Sequence, residues 1–175
     1  TVSHMGFSYP DGRRIFDDIS FSAKPGQIIG ITGPVACGKS TLGKVFLCEY
    51  PYDGSITWNG EELQEETAAK RAELIGYLGH DPELFNDSVE NNVLMGEQKK
   101  TEDFLKMVCM AEEVNEMDDG LQTLVGNGGV RLSGGQGKRL ALARTLCHKK
   151  PVLVLDDPFS ALDKSTERQI FANLK

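Results

Sequence analysis

Apolar and polar residues alternate from Val2 to Ser8 and again from Ile19 to Ala23, either side of the turn Pro10-Asp11-Gly12. That period of two predicts a pair of antiparallel strands with one wetted face. The pattern then changes. Gln27-Ile28-Ile29-Gly30-Ile31-Thr32 is a nearly unbroken apolar run stopping at Gly33-Pro34, and Lys39 to Leu47 follows with helical spacing, so a buried strand feeding a helix is predicted. Ser55 to Trp58, closed by Asn59-Gly60, reads as a strand with a hairpin turn, and Leu74 to Leu78 as another short strand. The polar run Glu61 to Glu66 between them reads as solvated surface. From Asp87 to Gly120 strand character is lost. Val89 to Leu94, Thr101 to Met110 and Glu112 to Met117 space their apolar residues three or four apart, which predicts a helical insertion. Six glycines fall between Gly126 and Gly137, after which Lys138 to Leu146 resumes helical spacing. Pro151 leads into the apolar strand Val152 to Leu155, which stops at Asp156-Asp157-Pro158, and a last helix runs from an Asp163 cap to Asn173.

With 175 residues the chain fits one compact unit of α/β class, and no repeat, linker or low-complexity tract divides it. Lys and Arg number 19 against 26 Asp and Glu, a formal charge of −7, which disfavours general nucleic-acid binding. No apolar stretch approaches the ~20 residues of a membrane span, so the chain itself is expected to be soluble and cytosol-facing. Cys37, Cys48, Cys109 and Cys147 are too scattered for metal-ligand spacing and read as reduced thiols. Because Thr1 is not an initiator methionine, the chain is expected to be a piece of a longer one.

Gly33-Pro34-Val35-Ala36-Cys37-Gly38-Lys39-Ser40 fits the G-x4-G-K-[ST] phosphate loop, in the required place between a strand and a helix. Small residues let successive backbone N–H groups surround phosphate oxygens at the positive end of a helix. Lys39 adds a full charge for the β and γ phosphates, Ser40 offers a hydroxyl to Mg²⁺, and Thr41 completes the nucleotide-contacting run, with Cys37 as a small filler. Asp156, at the carboxyl edge of an apolar strand, is the acid such a fold uses to orient Mg²⁺.

Phosphate loops serve many enzymes, and Leu132-Ser133-Gly134-Gly135-Gln136 narrows the class. That run, opening a helix about 20 residues before the metal-binding strand, resembles the signature of ATP-binding cassette (ABC) ATPases, and the resemblance covers essentially the whole chain. It implies a phosphate-loop core with a mainly parallel sheet, an antiparallel edge subdomain and a helical subdomain over roughly residues 86–145. It also implies two cassettes paired head to tail, with Ser133, Gly134, Gly135 and Gln136 serving the partner's ATP. Tyr9 resembles the aromatic that stacks on adenine, a core strand aromatic being the competing reading. Ser160-Ala161-Leu162-Asp163 resembles the loop that crosses the dimer interface. Ile75 to Phe85 resembles the segment that carries a glutamine toward Mg²⁺ and docks against the membrane domain. Arg131 and the spacing Val125-Gly126-Asn127-Gly128-Gly129 look like the exporter branch, where the cassette is fused behind membrane helices at the cytoplasmic face of the membrane.

Departures from that pattern bear on chemistry. His80 stands where the family has the glutamine, making it a catalytic and metal-site candidate, but an imidazole is a poor ligand for Mg²⁺. Asp157 stands where the family has the glutamate that organises the attacking water, one methylene shorter. With that shorter acid, ATP hydrolysis at this chain's own loop is expected to be weak, and the chain is expected to be the degenerate half of a heterodimer. The chain is also expected to be truncated, at Lys175, before the family's switch histidine. The alternatives are a regulatory ATP-binding module with little hydrolysis and a soluble ABC ATPase outside transport.

Overall fold

Strand β1 (Val2–Ser8) sits between β2 (Arg14–Phe21) and β3 (Asp53–Trp58), and β4 (Glu61–Glu62) closes a four-stranded sheet in the order β2-β1-β3-β4. Its pairings are antiparallel, with Val2 opposite both Phe21 and Ile56 and Phe7 opposite Phe16. Val2, Met5 and Phe7 are buried, so the alternation in β1 marks one apolar face. The hairpin from β3 to β4 follows from its sequence. Asn59 and Gly60 both take positive φ, 51° and 91°, the pair of left-handed conformations that a two-residue turn joining right-twisted strands requires. The chain is described here from a computed structural model covering residues 1–175, in which residues 1–75 and 76–175 form separate compact units.

In the first unit α1 (Lys39–Phe46) buries Leu42, Gly43 and Val45. A 3₁₀ turn (Leu63–Glu65) and α2 (Ala68–Leu74) follow, α2 capped by the Thr67 hydroxyl, which accepts from the Lys70 N–H. Two expectations fail here. Residues 27–33 form no strand, and Ile28, Ile29 and Ile31 are 49, 43 and 49% exposed. An apolar run becomes a buried strand only where neighbouring ladders flank it, and the sheet of this unit takes its partners from β1 to β4 alone. Glu62 is not solvated surface either. Its carboxylate accepts from the hydroxyls of Tyr52 and Ser55, at 2.5 and 2.6 Å, and from the Ile56 N–H, while Leu63 beside it is buried. Those donors hold the carboxyl below its ordinary range against the cost of desolvation.

The second unit is built on helices. β5 (Ile75–Leu78) pairs with β8 (Val152–Leu155), and the two-residue strands β6 (Asp87–Ser88) and β7 (Leu124–Val125) pair antiparallel. Helices α3 (Val89–Leu94), α4 (Thr101–Met107) and α5 (Ala111–Asn115) pack with α6 (Gly134–Cys147), each at the place its apolar spacing predicts. The core joins Val89, Val93, Leu105, Val108, Met110 and Val114 to Leu140, Leu142 and Leu146 of α6 and to the fully buried Ile170 of α7 (Lys164–Asn173). β8 is only half-buried along its length, less than its apolar run predicts, because it has one ladder partner. Asp163 caps α7, accepting from the N–H groups of Ser165 and Thr166, as its position predicts.

Asn92, fully buried in α3, holds the loop before it. Its side-chain oxygen accepts from the Phe85 N–H at 2.9 Å, and its amide nitrogen donates to the carbonyls of Phe85 and Ser88. Arg144 of α6 donates to the Asn92 and Glu83 carbonyls and lies 4.8 Å from the Phe85 ring centre.

Candidate nucleotide site

The loop from Gly33 to Ser40 is shaped by backbone that few residues adopt. Ala36 and Gly38 have φ of 64° and 98°, and a Cβ on Gly38 would run into the Ile15 side chain. A Cβ on Gly33 would stand 2.8 Å from the Cys37 sulfur. Lys39 folds back across the loop, its ammonium donating to the carbonyls of Pro34 at 2.7 Å and Gly33 at 3.0 Å and lying 3.8 Å from the Cys37 sulfur. Helix α1 then begins with no side-chain cap and no acid in its first turn. Its first N–H groups and its dipole are thereby left for an anion. Val35 is at the tip, 96% exposed.

Tyr9 meets the loop in one cavity of about 250 Å³, lined also by Arg13, Ile15, Ala36, Gly38, Lys39, Ser40 and Thr41. The Tyr9 hydroxyl is 3.2 Å from that of Thr41, and Phe7 and Tyr50 stand edge-on to its ring. An aromatic and a phosphate-binding loop thus share one opening, the arrangement that a base joined to a polyphosphate needs. Arg13 and Ile15 were not singled out by sequence. Only the turn between β1 and β2 brings them beside residues 36–41, and no local motif marks that.

In the second unit the residues that depart from the family pattern come together. The Asp156 N–H donates to the Leu78 carbonyl at 2.8 Å, fixing the end of β8. The chain then turns through a positive φ of 51° at Asp157, whose carboxylate faces the His80 imidazole at 3.5 Å. The two side chains are 55 and 52% exposed, so the pair adds little stability by itself. The Ser160 hydroxyl donates to the Asp157 carbonyl at 3.2 Å and is itself met by Lys138 of α6.

The signature run opens α6 as a capping box. The Ser133 hydroxyl accepts from the Gln136 N–H at 3.2 Å, and the Gln136 side-chain oxygen accepts from the Ser133 N–H at 2.9 Å. The Gln136 amide nitrogen donates to Glu113 of α5 at 2.9 Å, so both ends of that side chain are engaged within the chain. Arg139, nearly buried, clamps the other side of Glu113 at 2.6 Å and donates to the Cys109 carbonyl at 2.5 Å. Gly135 is tight, since a Cβ there would stand 2.8 Å from the Ala161 carbonyl oxygen, whereas Gly134 and Gly137 face open space. A cavity of about 570 Å³ lies in front, lined by Ser133, Gly134 and Gly137 and on its far side by Asp81 to Leu84.

Glu113 is the hinge of this arrangement, and its carboxyl is held below the ordinary value of 4.5, chiefly by Arg139. Its contribution is complete above that value and disappears as pH falls through the lowered one. Glu113→Gln is expected to cost about 2 kcal/mol, less than a fully buried pair because the carboxylate is partly exposed. Thermal melts check this: the gap to the parent chain should be widest at neutral pH and narrow below 4.5.

A cavity in which an aromatic meets a glycine-rich loop leading into a helix is the arrangement of a phosphate-loop nucleotide-binding fold. The sequence pattern of the ABC transporter family matches residues 16–160, and the chain belongs to that family. It is 39% identical over 180 residues to an ATP-dependent lipid A-core flippase of Burkholderia pseudomallei (strain 1710b), a match covering 99% of this chain and 30% of that protein. It is 37% identical over 179 residues to the probable multidrug resistance ABC transporter ATP-binding/permease protein YheI of Bacillus subtilis (strain 168), covering 99% and 31%. A solved bacterial Atm1-family ABC exporter with ATP bound superposes with a TM-score of 0.89 at 30% identity, over 99% of this chain and 31% of that one. The chain therefore spans about a third of the length of these relatives, and none of its own helices is long and apolar enough to cross a membrane.

Proposed function

We propose that residues 1–175 are a cassette that binds Mg-ATP and hydrolyses it to drive an exporter, with the helical part over roughly residues 86–145. The observation that carries this reading is the single cavity lined by Tyr9 and the phosphate loop. Tyr9 stacks on adenine, and the loop amides with Lys39 take the phosphates. Water attacks the γ-phosphorus in line, the bond to the β–γ bridging oxygen breaks, and ADP and phosphate leave. Ser40 and Asp156 are the residues that would hold Mg²⁺, since a hydroxyl and a carboxylate are each the kind of hard oxygen donor that ion prefers. What Mg²⁺ supplies when bound is neutralisation of charge between the β and γ phosphates.

Asp157 occupies the base position with a side chain about 1.3 Å shorter than glutamate, and misplacement of that order costs about 100-fold in rate. His80 facing its carboxylate favours a slow own site that holds ATP, with the fast site formed by a partner cassette's loop and this chain's signature. Dimer closure around the nucleotides is the working stroke, and the pair is a heterodimer. A permease portion fused in the same protein, as in the name of the Bacillus relative, supports a cassette at the cytoplasmic face of the membrane. Relatives of nearly equal identity are named for lipid A-core and for multidrug resistance, so the cassette does not set the cargo.

The test is titration of the purified chain with Mg-ATP and with inorganic triphosphate. Tyr9→Ala is expected to weaken ATP by about 5- to 150-fold, the worth of one base–aromatic stack, and to leave triphosphate unchanged. Equal losses would mean that Tyr9 only supports the fold.

A further inference from the structure

Arg13 and Arg14 are neighbours in sequence with different surroundings. Arg14 pairs with Asp17 and, at 2.8 Å, with Asp53. Arg13 has no carboxylate partner. Its guanidinium carbon lies 5.0 Å from the centre of the Tyr9 ring, and its side chain lines the cavity that Tyr9 shares with the phosphate loop. The turn fixes that placement. The Tyr9 N–H donates to the Arg13 carbonyl at 3.0 Å and the Gly12 N–H to the Tyr9 carbonyl at 2.9 Å. The Asp11 carboxylate accepts from the Arg13 N–H at 3.0 Å.

A planar cation left unpaired over an aromatic face, at the mouth of a nucleotide cavity, is itself a stacking surface. Resting on the nucleotide reading above, we propose that Arg13 is the second wall of the base slot, with the nucleobase held between the Tyr9 ring and the Arg13 guanidinium. Two stacking contacts at about 3.5 Å each need more than the present 5.0 Å. The exposed arginine provides the difference by rotating outward. Every base offers a π-face, so this wall strengthens binding of nucleotides generally and does nothing for a bare polyphosphate.

The purified chain is titrated with Mg-ATP, Mg-GTP and inorganic triphosphate. Arg13→Ala is expected to weaken both nucleotides about fivefold and to leave triphosphate unchanged. Arg13→Lys keeps the charge but not the plane, and is expected to recover less than half of the loss. In a Tyr9→Ala background the Arg13→Ala change should cost less than in the parent, because the slot has already lost its other wall. Equal loss for triphosphate with full rescue by lysine would make Arg13 a phosphate-attracting charge and overturn the proposal, as would no loss for any ligand. Failure of the nucleotide reading shows elsewhere, as Mg-ATP binding that survives Lys39→Ala.

Discussion

Lys39→Ala is expected to lower the affinity of the chain for both Mg-ATP and inorganic triphosphate by about 100- to 1,000-fold, the worth of one or two charge-assisted hydrogen bonds lost from a phosphate site. The effect is large for two reasons. The ammonium is the one full positive charge on the loop itself, and it holds the carbonyls of Gly33 and Pro34 together across it. Its removal takes away charge and also slackens the loop. Because the loss falls on the phosphates, it should be equal for the two ligands, unlike that of Tyr9→Ala. Titration calorimetry decides the matter, and ATP affinity within a few-fold of the parent would show that Lys39 is not the phosphate lysine.

The second large effect concerns which site each residue serves. In the full-length transporter at saturating ATP, Ser133→Ala is expected to cut turnover more than Asp157→Asn. On the assignment proposed above, Ser133 opens α6 with its hydroxyl proton still available to donate to a partner's nucleotide, while Asp157, beside His80, belongs to the slow site. Loss of a donor aimed at transition-state charge costs about 100-fold or more, whereas damage to a slow site leaves turnover carried by the fast one. If Asp157→Asn abolishes activity and Ser133→Ala leaves it near normal, the assignment is reversed and Asp157 is a working catalytic base.

Much of this arrangement was legible in sequence because its determinants are local. The phosphate loop, the Asn59-Gly60 turn, the Asp163 cap and the Ser133–Gln136 box each depend on residues within a few positions of one another. Contacts between distant residues were not legible. Nothing in the order of residues shows that His80 faces Asp157, that Arg13 covers Tyr9 or that Gln136 spends its amide on Glu113. The apolar run at residues 27–32 misled for a related reason: composition says that a segment is suited to burial, but its ladder partners decide whether it is a strand.

The buried Asn92 gives the loop between β5 and α3 a mechanical character. Loops normally absorb displacement, yet here the Phe85 backbone is tied on both its N–H and its carbonyl to one side chain, and Arg144 joins Glu83 and Asn92 to α6. The segment is therefore a stiff link. Residues 83–85 and the helix that begins at the signature run are thereby braced against each other, so displacing either strains the hydrogen bonds of both Asn92 and Arg144.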